Sequence, residues 1–271
     1  MKKKHVAELL VEQGLYPSLD EAKRAVMAGE ILGTNEERLD KPGELIPIDT
    51  ELHRKGHPLP YVSRGGFKLA KALEVFQIDL TDKVVLDIGS STGGFTDVML
   101  QNGAQLSYAL DVGSNQLVWK LRQDPRVIVM EHTNFRYSQL ADFTHGQPVF
   151  ASIDVSFISL KLILPPLKGI LPVDGEVVAL IKPQFEADRE DVGSHGIVRD
   201  PAVHRAVVQG IVDFALANGY SVLGLDFSPI KGGEGNIEFL IHLQSVDKHA
   251  VCAHTVSVEK TLDAAYESLK Q

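Results

Sequence analysis

The run Val84-Val85-Leu86-Asp87-Ile88-Gly89-Ser90-Ser91-Thr92-Gly93-Gly94-Phe95-Thr96 constrains this chain more than any other segment. An apolar burst with an aspartate, closed by a glycine-rich turn, reads as a buried strand feeding a helix N-terminus. Glycines let the backbone come close to a ligand, and the free N–H groups of the next helix point at it. The junction is either a cradle for a nucleotide-like cofactor or a purely structural turn. A phosphate-cradling loop needs Lys-Ser or Lys-Thr after its last glycine, where this chain has Phe95-Thr96. A dinucleotide fingerprint needs a second glycine soon after Gly89, where Ser90-Ser91 stands. S-adenosylmethionine remains: it carries no phosphate, and its ribose hydroxyls call for a carboxylate at the end of the next strand. Asp111, in Tyr108-Ala109-Leu110-Asp111-Val112, lies at the roughly 20-residue offset expected of such an acid. The expected cofactor contacts are Asp87, Gly89, Ser90, Ser91, Thr92, Gly93, Gly94, Phe95, Asp111, Val112 and Asp154, with Thr133 and Asn134 beside Glu131 flanking the adenine.

From Ser63 onward strands and helices alternate, the mark of an α/β, doubly wound, mostly parallel Rossmann-like sheet. Expected strands are 84–88, 107–112, 127–131, 149–155, 176–182, 221–227 and 237–243, with helices over 160–171 and 201–218. A length of 271 residues allows one such domain plus a small accessory one. The single cysteine, Cys252, excludes an internal disulfide and a multi-cysteine metal site. No metal is expected. The start Met1-Lys2-Lys3-Lys4-His5 runs into amphipathic sequence, and no apolar stretch approaches the roughly 18 residues of a membrane span, so a cytoplasmic protein is expected. A formal charge of -9 means that any nucleic-acid binding rests on local basic patches.

The chain divides near residue 58, into a small α+β domain over 1–57, a linker over 58–63 and the large domain over 64–271. Val6, Leu9 and Leu10 make one helical face, Ser18-Leu19-Asp20-Glu21 reads as a capping box starting a second helix, and Gly29 should end it. Ile31-Leu32 and Leu45-Ile46-Pro47-Ile48 look like short strands of one little sheet, separated by the turns Gly33-Thr34-Asn35 and Lys41-Pro42-Gly43. This order resembles the small α-L RNA-binding domain. Residues 1–57 carry 9 Lys+Arg against 11 Asp+Glu, so an RNA-facing edge would be confined to Lys2, Lys3, Lys4, Lys23, Arg24, Arg54 and Lys55. A structural or protein-binding appendage is the alternative.

Ligands gather at the carboxyl ends of parallel strands. Asp154 ends one apolar run and Lys182 another, each placing a charge at the edge of a buried sheet. They pair either to tie two strand ends together or to do chemistry. Lys68 lies just ahead of the first strand of the large domain, and Glu238 where a glycine-rich turn enters a late strand.

Lys68, Asp154, Lys182 and Glu238 around a Gly-Ser-Ser-Thr-Gly-Gly turn resemble the Lys-Asp-Lys-Glu tetrad of the FtsJ-like ribose 2′-O-methyltransferases. Ser63-Arg64-Gly65-Gly66, Lys182-Pro183-Gln184-Phe185-Glu186 and Gly235-Asn236-Ile237-Glu238 resemble the TlyA, or hemolysin A, branch. The resemblance covers nearly the whole chain. It implies methylation of cytidine ribose in ribosomal RNA of ribosomal subunits. A ribose 2′-hydroxyl is a weak nucleophile, so methylating it requires proton removal or stabilisation of the developing oxyanion. Lys182 is the expected base or oxyanion stabiliser and Asp154 its orienter, while Lys68 and Glu238 position substrate and balance charge. Arg64 and Phe157 join the expected RNA contacts, Phe157 either stacking on a flipped base or filling a core. The polar stretch over 187–199 reads as a lid or a mobile loop. A cytolysin and a non-catalytic rRNA-binding factor are the competing functions.

Overall fold

The computed structural model describes residues 2–34, 37–55, 60–232 and 235–269. Asn35 and the Gly233-Glu234 pair of the late turn lie outside that set. The chain forms two compact units, Met1–Arg64 and Gly65–Gln271. Residues 60–63, expected within a linker, and Arg64, expected to open the large domain, group with the first unit, and Arg64 N–H donates to the Glu51 carboxylate at 2.9 Å.

In the first unit, strands β1 (Lys3–His5), β2 (Ile31–Leu32), β3 (Leu45–Pro47) and β4 (His53–Arg54) accompany helices Val6–Glu12 and Leu19–Met27. The strands make two antiparallel ribbons, β1 with β3 and β2 with β4, rather than one sheet. β1 and β4 are polar segments of three and two residues, too short to show an apolar alternation. Ser18 caps the second helix by accepting from Glu21 N–H at 3.3 Å, and Gly29, at φ +70°, turns the chain just after it. Val6, Leu10, Ala22, Val26, Ile31 and Leu52 fill the core between helices and ribbons.

The second unit is built on β5 (Val84–Ile88), β6 (Leu106–Leu110), β7 (Val127–Met130), β8 (Phe150–Ile153), β9 (Glu176–Ile181), β10 (Tyr220–Phe227) and β11 (Phe239–Ser245). Their spatial order is β10-β11-β9-β8-β5-β6-β7. β5 to β9 run parallel, whereas β11 is antiparallel to both of its neighbours. Central strands covered on both faces read as unbroken apolar runs, so these were legible to within one or two residues. The helix expected over 160–171 is instead a 3-10 turn, Leu160–Leu162, followed by helix Leu164–Lys168. Pro165 and Pro166 explain the break, since proline suits only a helix's first turn. Helix Pro201–Ala217 starts on Asp200, which accepts from Ala202 N–H at 2.8 Å.

β5 sits between β6 and β8, so the connections leave it in opposite directions and open a crevice at its carboxyl end. Gly89 occupies that point. Its φ is +87°, and a Cβ there would lie 2.5 Å from the Asp154 carbonyl oxygen, so only glycine lets β5 and β8 end side by side.

Candidate active site

Helix Gly66–Val75 brings Lys68 to the carboxyl ends of β8 and β9, while Glu238 lies immediately before β11. Lys68 Nζ lies 2.6 Å from Glu238 Oε2 and 3.7 Å from Asp154 Oδ2, and Lys182 Nζ lies 2.5 Å from Asp154 Oδ1. Four residues spread over 170 positions thus form one chain of alternating charge, Glu238–Lys68–Asp154–Lys182. Both lysines and Glu238 are buried, and Asp154 is largely so. Burial opposes the Lys68 ammonium, but the Asp154 and Glu238 carboxylates outweigh it and hold the Lys68 pKa above the ordinary lysine value. Burial likewise opposes the Asp154 carboxylate, and the two lysines overcome it, keeping Asp154 below the usual carboxylate range. The pairing thus favours the charged forms of both Lys68 and Asp154.

Among the described residues, Ser156 and Gln184 also hydrogen-bond to members of the tetrad. Lys182 Nζ lies 3.3 Å from the Ser156 hydroxyl, and Gln184 Nε2 donates to Glu238 Oε1 at 3.4 Å. Sequence reasoning missed Ser156; its local signal is no more than its place two residues after Asp154. Phe157, expected either on RNA or in a core, is 91% exposed. It sits at φ +62°, a backbone conformation unusual for a bulky residue, with its ring centroid 5.0 Å from that of Phe185.

On the glycine turn, Ser91 is exposed at φ +46° and Gly93 lies at φ +100°. Asp111 spans the turn and its own strand end, accepting from Ser91 N–H at 2.8 Å and Gly113 N–H at 2.7 Å. A carboxylate offers about four lone-pair directions. Two remain for a vicinal diol, so the donor set fits an adenosine-type ribose. Val112 is exposed after β6, and Thr133 and Asn134 are half-buried after β7. Glu131, expected beside the adenine, accepts from Asn115 N–H at 2.8 Å and pairs with Arg122. Asp87 is fully buried beneath the turn, accepting from Thr96 at 2.6 Å and from Ser152 at 3.3 Å. Burial pushes its pKa up to about 7, with nearby Asp154 adding to the rise and the Thr96 bond opposing it. Ser90, Gly94 and Phe95 are also buried, and Thr92 is half-buried.

In the first unit Lys2, Lys3, Lys23, Arg24, Arg54 and Lys55 are exposed or partly so. Lys4 pairs with Glu12, and Arg54 lies 3.6 Å from Glu30 and over the Tyr16 ring. The 187–199 stretch is fastened at its end by buried Asn236, which donates to the Gly196 carbonyl at 2.8 Å and accepts from Val198 N–H at 3.0 Å.

Residues 61–245 match the family model described as FtsJ-like methyltransferase. YqxC of Bacillus subtilis is 62% identical over 242 residues, covering 89% of this chain and 86% of that protein. TlyA of Mycobacterium tuberculosis, named a 16S/23S rRNA (cytidine-2′-O)-methyltransferase, is 38% identical over 250 residues, with 90% and 91% covered. The solved structure of a hemolysin-named protein of Streptococcus thermophilus has a TM-score of 0.85 and 56% identity, covering 100% of this chain and 98% of that one.

Proposed function

The chain belongs to the FtsJ-like methyltransferase family, and on that premise we propose that it methylates the 2′-hydroxyl of cytidine ribose in ribosomal RNA. The observation that carries this reading is the buried Glu238–Lys68–Asp154–Lys182 chain at the carboxyl edge of the sheet. S-adenosylmethionine is the methyl donor, supplying an electrophilic methyl group on a sulfonium; Asp111 would hold its ribose against the 89–94 turn.

The residues of this chain divide the remaining work. Lys68 stays charged and fixes the carboxylates of Asp154 and Glu238. Asp154 then holds the Lys182 nitrogen in one place, with Ser156 on another side. Lys182 has one carboxylate partner where Lys68 has two, which leaves Lys182 as the group that takes the hydroxyl proton or carries the charge developing on the ribose oxygen. Phe157 projects beside it as a stacking surface for the base, and Arg64 with the exposed cations of the first unit contacts RNA backbone. Among the described residues no helix is long and apolar enough to cross a membrane.

Transfer of labelled methyl to ribosomal subunits, measured beside red-cell lysis by the same preparation, tests the reading. Label in the RNA without lysis supports it, whereas lysis or subunit binding without label points to the competing functions.

A further inference from the structure

Two large aromatic side chains stand in solvent beside the cofactor turn: Trp119 is 70% exposed and Tyr137 is 77% exposed. Rings of that size are ordinarily mostly buried, so an exposed pair on neighbouring loops implies something that covers them. Trp119 opens the short helix Trp119–Arg122 on the loop leaving β6, and Tyr137 closes the 3-10 turn Phe135–Tyr137 on the loop leaving β7. β6 and β7 are adjacent and parallel, so both loops rise from the same sheet edge.

The two loops are also joined to each other. His132 N–H donates to the Gly113 carbonyl at 3.1 Å and Thr133 N–H to the Asp111 carbonyl at 3.0 Å. The Glu131 carboxylate completes the join by accepting from Asn115 N–H and pairing with Arg122. Val118 N–H donates to the Thr92 carbonyl at 3.2 Å, fastening the Trp119 loop to the glycine turn. Tyr137 has a cation beside it, the Arg136 guanidinium lying 5.4 Å from its ring centroid, and Lys120, next to Trp119 in the chain, has a side chain 73% exposed with its Nζ 3.7 Å from Asp97 Oδ1. Exposed rings on fixed loops with cations alongside are the two parts of a single-stranded nucleic-acid platform: faces on which bases stack, and charges that follow the phosphates.

We propose that Trp119 and Tyr137 form a stacking platform for unpaired nucleotides flanking the one that is methylated, with Lys120 and Arg136 neutralising their phosphates. The platform extends the substrate path of the site under Proposed function and rests on that reading. β7 and β8 lie three strand spacings apart, about 14 Å, so the strand passes along one edge from Tyr137 toward Phe157. The edge carries its own positive groups, which is what a chain of net charge -9 needs in order to hold a polyanion.

Trp119 is the single tryptophan of the chain, so its fluorescence reports directly on occupancy. The full-length protein is titrated with an unpaired, cytidine-rich oligoribonucleotide of about ten residues, and affinity is read independently by anisotropy of the labelled oligomer. Binding is expected to quench Trp119. Trp119→Ala and Tyr137→Ala are each expected to weaken binding roughly 5- to 150-fold, with recovery in Trp119→Tyr and unchanged thermal melting. Lys120→Gln and Arg136→Gln should each lower the slope of log affinity against log salt by about 0.7. Unchanged affinity in both alanine variants overturns the proposal, as does quenching by S-adenosylmethionine alone with loss of cofactor affinity in Trp119→Ala. If the alanine variants bind normally while the wild type methylates ribosomal RNA, the platform fails and the reaction stands. If binding depends on Trp119 and Tyr137 but no methyl reaches ribosomal RNA, the reaction reading fails and the platform stands.

Discussion

Asp154 Oδ1 and Lys182 Nζ lie 2.5 Å apart at the ends of neighbouring parallel strands. The register of β8 and β9 therefore sets the position of the amine proposed to meet the ribose hydroxyl. Lys182→Ala should reduce methyl transfer by more than tenfold, a barrier increase above about 1.4 kcal/mol, while calorimetry finds S-adenosylmethionine affinity nearly unchanged. Retention of a tenth or more of the activity would return the pair to a purely structural tie.

Lys68 has a different role because it lies between two carboxylates. Lys68→Ala leaves Asp154 and Glu238 buried without their shared cation. Removing one partner of a buried pair costs about 3–5 kcal/mol, so denaturant unfolding should show a loss of that order. The Lys182 variant, whose removal leaves Asp154 paired with Lys68, should lose less.

Asp87 gives the fold a pH dependence. Its native pKa of about 7 lies above the value near 4 of an unfolded aspartate, so the native state holds the extra proton between them and stability falls as pH rises through that window. Asparagine cannot ionise. Relative to wild type, Asp87→Asn should gain stability between pH 5 and pH 8, by at most a few kcal/mol. Parallel unfolding free energies at the two pH values would show that Asp87 is not the group responsible.

Two positions on the turn test the cofactor site. Asp111→Ala removes the proposed ribose acceptor together with the anchor of Ser91 and Gly113, and should weaken S-adenosylmethionine binding roughly 10- to 150-fold by calorimetry. Gly89→Ala forces a side chain into a left-handed conformation and against the Asp154 carbonyl. It should cost at least about 1–3 kcal/mol of stability and disturb transfer through Asp154. Full activity and an unchanged melting temperature would contradict that packing.

β5 to β9 were legible because a strand buried on both faces is written as an apolar run, and the charges that close such runs, Asp154 and Lys182, stand out against it. Asp87 interrupts such a run just as a ligand-binding acid does, and only the fold shows that it is fully buried and accepts from Thr96 and Ser152. The pairing of Glu131 with Arg122 was not legible, because the sequence does not reveal where the short helix Trp119–Arg122 lies. Ser156 and Gln184 carry no periodic signal, and their contacts to Lys182 and Glu238 arise only when distant elements meet. The ribbons β1–β3 and β2–β4 are hidden in the sequence because half of each is polar and two or three residues long.

The first unit's place in RNA binding is accessible through charge. With acids outnumbering bases there, it should neutralise few phosphates, and Lys23→Glu with Arg24→Glu in the full chain should weaken subunit binding. The same double substitution should lower the salt slope by about 0.7 to 0.9 for each phosphate left without its cation. Unchanged affinity and slope would assign recognition to other residues.

The position of the transferred methyl group tests the central claim most directly. Ribosomal RNA from subunits treated with wild-type protein and S-adenosylmethionine is digested to nucleosides and analysed by mass spectrometry, with Lys182→Ala treated in parallel. The account predicts 2′-O-methylcytidine from the wild type and none above background from the variant. A methyl group found on a base, or equal amounts of the product from both proteins, would contradict it.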